Sequence, residues 1–232
     1  MSGKKILLLG AAAVAAVNMT AAMAGGFTHE PTPVVDSGYY IEGHLGYARQ
    51  NYLDNKNWRA STGVHLNNGG NVSGGFAAGV DGGYRINRHF GVELGWFHLP
   101  SVNVIAATAA PSYLTSWVLY LAGKYMMPLP WMNNTDWFFK LGVAYRKANL
   151  PASAVTSISS PSTVTGGNST FVRPMFATGL DYSFSDTWSG IIQYAYFMGA
   201  KNSFPYTTAN LGSLGTVAAN VFTLGLGYKF TV

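Results

Sequence analysis

Four acids and four bases stand inside otherwise apolar stretches of this sequence: Glu42, Asp81, Glu93 and Asp181 against Arg85, Lys124, Lys140 and Lys229. In "GFAAGVDGGYRINRHFGVELGWF" (75–97), Asp81 falls on the face opposite Phe76, Val80 and Tyr84. Glu93 falls opposite Phe90, Val92, Leu94 and Trp96. A strand alternates its faces at every residue. If the apolar faces meet in a core, the charges are solvated. If the apolar faces look outward, the charges are enclosed and must neutralise one another, because an unpaired enclosed charge costs several kcal/mol. Such a set is formally neutral and can act as a structural plug or as a narrow pore gated by exchange of pairs.

Other chemistry finds little support. Four of the five histidines, His44, His65, His89 and His98, do not form a metal spacing on one strand face, and the chain has no Cys, so no metal site and no cofactor are expected. His44 shares the face of Glu42 and is read as part of the polar interior. No His–Ser pair with an orienting carboxylate can be placed at one depth. Ser112 or Ser116 near His98 stays the one open pairing, so no catalytic residue is assigned and no enzyme is expected. "GGYRIN" and "TGGNST" lack phosphate-loop spacing. The net charge of +5 comes without a basic run, which argues against nucleic acid.

Eight segments carry period-two alternation and must position these charges. Representative are "SGYYIEGHLGYARQNY", with Tyr39, Ile41, Leu45 and Tyr47 opposite Tyr40, Glu42, His44 and Ala48, and "WFFKLGVAYR", with Trp137, Phe139, Leu141, Val143 and Tyr145 opposite Lys140 and Gly142. The apolar faces often end in Trp or Tyr. The opposite faces mix Gly, Ala and Thr with one or two charges. A soluble sandwich is the competing reading, but its outer faces would carry more charge than the 10% found here. Apolar faces turned to lipid, aromatic girdles and a polar interior describe a membrane barrel, and unpaired backbone in lipid forces closure. The expected fold is all-β: an eight-stranded antiparallel up-and-down transmembrane β-barrel.

Three features set location and orientation. "MSGKK", the apolar run Ile6 to Val17 and "AMA" (22–24) read as a cleaved signal peptide over 1–24, followed by a short periplasmic segment over 25–36 and the barrel over 37–232. The apolar run is far shorter than the about 20 residues of a spanning helix. Connections after the second, fourth and sixth segments are compact ("INRH", "MPLPWMNNTD", "SDT"). Those at about Leu53 to Gly74, Leu99 to Ser112, Ala148 to Ser169 and Gly199 to Gly215 are long, polar and free of regular pattern. Short turns belong to the periplasm and long loops to the outside of a Gram-negative outer membrane.

The stretch "GFAAGVDGGYRINRHFGVELGW", with "GYYIEGHLGY", "FFKLGVAYR", "FATGLDYSF" and the closing "LGLGYKF", resembles the OmpA transmembrane domain from about Ser37 to Phe230. The resemblance implies an interior salt-bridge network in which Glu93 and Lys124, on adjacent strands, are the central partners with Lys140 nearby. The sequence carries no counterpart of that family's peptidoglycan-binding domain, so cell-wall anchoring is not expected. It also runs two residues past Phe230, whereas the assembly signal of such barrels usually ends on the aromatic itself.

Outside the lumen, Arg49, Lys56, Arg59, Arg146, Lys147, Arg173 and Lys201 face only Asp54 at the strand tops and loops. They are candidate contacts for lipopolysaccharide phosphates, Arg49 foremost by its outward parity, with scattered solubilising charges as the alternative. Arg88 stands with Glu30, Asp36, Asp136 and Asp186 at the other end. Expected partners are outer-membrane lipid and lipopolysaccharide, the assembly machinery, and host or cell-surface ligands at the loops. The expected role is structural and adhesion-type, with a small gated porin as the alternative and a lipid A-modifying enzyme behind both.

Overall fold

A computed structural model describes residues 37–50, 74–103, 113–150, 167–204 and 214–230. Ten strands follow in order: β1 (Gly38–Gln50), β2 (Gly74–Arg85), β3 (Phe90–Asn103), β4 (Tyr113–Pro128), β5 (Thr135–Leu150), β6 (Gly167–Ser183), β7 (Trp188–Phe197), β8 (Ala200–Phe204), β9 (Leu214–Thr216) and β10 (Ala219–Lys229). Eight of them, β1 to β7 and β10, close into an antiparallel up-and-down barrel in which β10 pairs with β1. The eight-stranded all-β expectation is met.

The alternation explains the wall. Outward side chains such as Tyr39, Leu45, Phe76 and Leu224 are more than 60% exposed, whereas their inward neighbours are buried or half-buried. Two aromatic belts frame this apolar band. Tyr39–Tyr84, Phe90–Tyr125 and Trp188–Tyr228 pack at 4.9, 5.1 and 5.0 Å at the short-turn end. Trp117–Tyr145 and Tyr194–Phe222 pack at 5.7 and 5.4 Å toward the long-loop end. From Tyr39 to Tyr47 a tilted strand climbs roughly 20 Å, close to the apolar height of such barrels.

The short connections are true turns. Asn87 Oδ1 accepts from the backbone N–H of His89 and of Phe90, and Ser185 Oγ does the same for Thr187 and Trp188. Asn134 closes the β4–β5 turn at φ 59°, a left-handed conformation that Asn tolerates better than most residues.

The long-loop end departs from the expected boundaries. The β5–β6 ladder runs unbroken to Leu150↔Gly167, β2 begins at Gly74, and β3 continues past a register shift between Leu99 and Val102 to Asn103. The last connection, expected to lack regular structure, contains the β8–β9 pair. Its Ala200↔Thr216 pairing keeps the offset of Phe197↔Ala219 in the wall, so β8 and β9 prolong the β7–β10 hairpin beyond a break at 198–199 and 217–218. Glycine is required there, because a Cβ on Gly199 would collide with the Thr216–Ala218 backbone.

Candidate functional site

The barrel interior gathers buried charge among the described residues. Register decides its design. Glu42 on β1 lies directly across from Asp81 on β2, and Lys124 on β4 directly across from Lys140 on β5. Like charges opposite one another weaken a sheet. Here the acid rung and the base rung face each other across the lumen, and Glu93 on β3 stands between them. Lys124 Nζ is 2.5 Å from Glu42 Oε1 and 3.6 Å from Glu93 Oε2. Lys140 Nζ is 2.5 Å from Glu93 Oε1, 3.4 Å from Asp81 Oδ2 and 3.5 Å from Glu42 Oε2. The tight partners are therefore Glu42–Lys124 and Glu93–Lys140, and the Glu93–Lys124 pair implied by the resemblance is the longer contact.

Neutral groups complete the cluster. Glu93 accepts from the hydroxyls of Tyr120 at 2.6 Å and Tyr40 at 3.0 Å. The two ammonium groups lie over the Phe138 ring at 4.8 and 5.2 Å, and Lys124 also lies 4.9 Å from the Tyr40 ring. These side chains fit because glycines face them: a Cβ on Gly83 would strike the Tyr40 ring, and one on Gly79 the Phe97 ring. His44 is buried, with Nε2 3.0 Å from Asp81 Oδ2 and 3.5 Å from Glu42 Oε2.

The remaining interior candidates lie toward the short-turn mouth. Arg85 is half-buried there, donates to Met126 Sδ at 3.0 Å and reaches Asp136 at 3.6 Å. Asp181 and Lys229 line a cavity of about 60 Å³ with Arg85, Lys124 and Glu42, room for a few waters.

Above the charges the lumen turns apolar. Phe97, Tyr120 and Phe197 form a triangle of ring contacts at 5.9 to 6.3 Å, packed with Ala48, Ala77, Val118, Met175 and Val221. Higher still sits a second polar group. Arg146 donates to the Gln50 amide oxygen, to Ser116 Oγ at 3.3 Å and to the Val217 carbonyl at 2.5 Å, and Gln50 Nε2 donates to the Pro100 carbonyl at 2.9 Å.

That corrects one expectation. Arg146 is not on the outer rim; it is 1% exposed inside the barrel. The reason is parity: Lys140, Ala144 and Arg146 share the inward face of β5, and the strand does not end before them. The rest of the rim set divides. Arg49 is exposed at outward parity and Lys147 is half-buried at outward parity. Arg173 is exposed but shares the face of Met175 and Ala177, so it belongs to the mouth rather than the lipid face. Lys56 and Arg59 lie outside the described residues, and Lys201 falls in β8 with its side chain outside them.

Sequence reasoning left Tyr40 and Tyr120 without a role and missed Gln50 as a ligand of Arg146. Inward parity was the available signal for each. His98 is exposed on the outer face while Ser116 is buried inside, so that pair does not form. Ser112 and His65 lie outside the described residues.

Known proteins share this frame. The sequence pattern of the OmpA-like transmembrane domain matches residues 20–232. Outer membrane protein A of Shigella flexneri is 25% identical over 223 residues, covering 93% of this chain and 55% of its own length. The chain thus spans about half the length of that relative. An uncharacterized protein of Coxiella burnetii is 27% identical over 261 residues, 97% of this chain and 99% of its own. The crystal structure of Neisserial surface protein A matches with a TM-score of 0.54 at 13% identity, over 84% of this chain and 99% of that one, a likeness of fold.

Proposed function

The chain belongs to the family of OmpA-like transmembrane domains, an outer-membrane β-barrel, and on that premise we propose that it serves a structural and surface-interaction role without enzymatic activity. Its lumen is plugged by the salt-bridged rungs and the aromatic layer above them, and adhesion-type partners engage the long loops. The interlocking of Glu42–Asp81 with Lys124–Lys140, sealed over by Phe97, Tyr120 and Phe197, carries this reading. An eight-stranded interior is just wide enough for side chains to fill. The membrane-facing part of the proposal gives Arg49 and Lys147 to lipid phosphates and removal of 1–24 to export. N-terminal mass analysis of protein from the outer membrane should find Gly25 first.

One observation favours a second reading, a narrow pore. Glu93 holds Lys124 at a loose 3.6 Å, and the cavity at the short-turn mouth reaches Glu42 and Lys124. Exchange of partners between the two lysines would open a path beside them. Single-channel recording of the refolded barrel in a planar bilayer, beside a Glu93→Ala, Lys124→Ala double variant, decides between the two. A silent parent whose folding is verified by heat-dependent gel mobility supports the plug. Discrete steps altered in the variant overturn it in favour of the pore.

A further inference from the structure

Glu42 and His44 stand two residues apart on the inward face of β1, and Asp81 is the cross-strand partner of Glu42. One ligand-type atom from each residue lies within 4.8 Å of the others. His44 Nε2 stands 3.0 Å from Asp81 Oδ2 and 3.5 Å from Glu42 Oε2. Donor atoms around a tetrahedral ion bound at 2.0–2.2 Å are about 3.4 Å apart, and the two observed separations bracket that value. Independently, His44 is 1% exposed, yet neither of its ring nitrogens makes a hydrogen bond of acceptable geometry, and Asp81 Oδ1 is likewise unsatisfied among the described residues. Buried polar atoms rarely stay so. An imidazole nitrogen aimed at two carboxylate oxygens is a metal-type donor set, and the Lys140 ammonium holds those oxygens only at 3.4 and 3.5 Å.

We propose that Glu42, His44 and Asp81 form a buried binding site for a divalent transition-metal ion of the zinc class, completed by water. The ion competes with the Lys140 ammonium for the two carboxylates. Lys140 is poised to yield, because its contacts to Asp81 and Glu42 are 3.4 and 3.5 Å while its contact to Glu93 is 2.5 Å. Glu42 also borders the cavity at the short-turn mouth, the side from which an ion would arrive. The histidine spacing along the chain hid this group, because its third member comes from the neighbouring strand.

The test loads the EDTA-treated, refolded barrel with Zn²⁺, removes free metal and counts bound metal by mass spectrometry. Co²⁺ in its place reports coordination through visible absorption. The parent should retain one equivalent, and so should a variant with His29, His65, His89 and His98 all changed to Gln. His44→Gln should lose it or weaken it by about 100-fold, the upper end of what loss of even an outer-shell partner costs. Lys140→Met should bind more tightly than the parent. Gel mobility confirms folding, and Asp81→Asn replaces His44→Gln should that variant fail to fold. Absence of a bound equivalent in the parent, or an equivalent indifferent to both His44→Gln and Asp81→Asn, overturns the site; a protonated His44 would then supply the missing charge.

Discussion

Near the short-turn end of the lumen, Lys124 and Lys140 are each held by a carboxylate at 2.5 Å, within a set of charges donated wholly by barrel strands. Near the long-loop end, Arg146 donates to an amide, a hydroxyl and a backbone carbonyl, and that carbonyl belongs to Val217, between β9 and β10. The two ends solve one problem, a cation enclosed in a protein wall, with opposite dependencies. In the charge network every member needs the others, since removing one leaves an uncompensated charge in a low-dielectric space. In the clasp these three acceptors are neutral, so losing one costs a hydrogen bond rather than a charge. The network therefore governs whether the barrel stands, and the clasp governs how the β8–β9 hairpin sits on it.

Breaking the network should give the largest effect. Lys140→Met deletes the cation nearest Glu93 and two further carboxylate contacts, and should lower unfolding stability by about 3–5 kcal/mol. Urea titration of the refolded barrel, read by gel mobility, measures it. A loss below about 1 kcal/mol would show that the three acids are not mutually dependent. Adding Glu93→Gln to Lys140→Met sharpens the point. The double variant should be more stable than Lys140→Met alone, because the orphaned carboxylate goes with its partner. Further loss would mean that Glu93 is anchored mainly by Tyr40 and Tyr120.

The clasp should be weaker and more local. Arg146→Met removes hydrogen bonds to an amide, a hydroxyl and a backbone carbonyl, and the cost should be about 1–3 kcal/mol. Its signature is spatial: backbone amides of Thr216 and Ala219 should exchange faster while those of β1 and β2 keep their protection. Uniform loss of protection around the barrel would erase the distinction between the two ends.

What could be read from the sequence follows the same division. Alternation alone placed Glu42, Asp81, Glu93, Lys124 and Lys140 on inward faces, because parity is a property of one strand. That Glu42 faces Asp81 and Lys124 faces Lys140 is a property of register between strands, which a lone sequence does not state. The resemblance, not the alternation, implies Glu93–Lys124 as the central pair, and register makes the cross-lumen Glu42–Lys124 contact the tighter one. Arg146 was within reach of the same parity that placed Lys140. As the last residue of "WFFKLGVAYR" it reads as a strand-top charge at the rim, but β5 runs on to Leu150 and encloses it. The β8–β9 pair was hidden by composition: residues 199–215 read as loop, and only the continued offset from β7 and β10 makes them a hairpin.

The smallest stability effect belongs to a cation that neither end encloses. Arg49 lies one residue from Ala48 and Gln50, both buried, yet points outward and is exposed. Its removal orphans no buried group, so Arg49→Ala should change unfolding stability by no more than about 0.5 kcal/mol. If Arg49 pairs with lipid phosphates, the same substitution should weaken lipopolysaccharide binding to the reconstituted barrel, and added salt should diminish the difference because a surface pair is screened. Lys147, half-buried at the same outward parity, is the natural companion variant. Unchanged binding in Arg49→Ala, Lys147→Ala would make these residues ordinary solubilising charges. A stability loss approaching that of Arg146→Met would instead show that the rim cations are structural, and the line between enclosed and exposed cations would have to be redrawn.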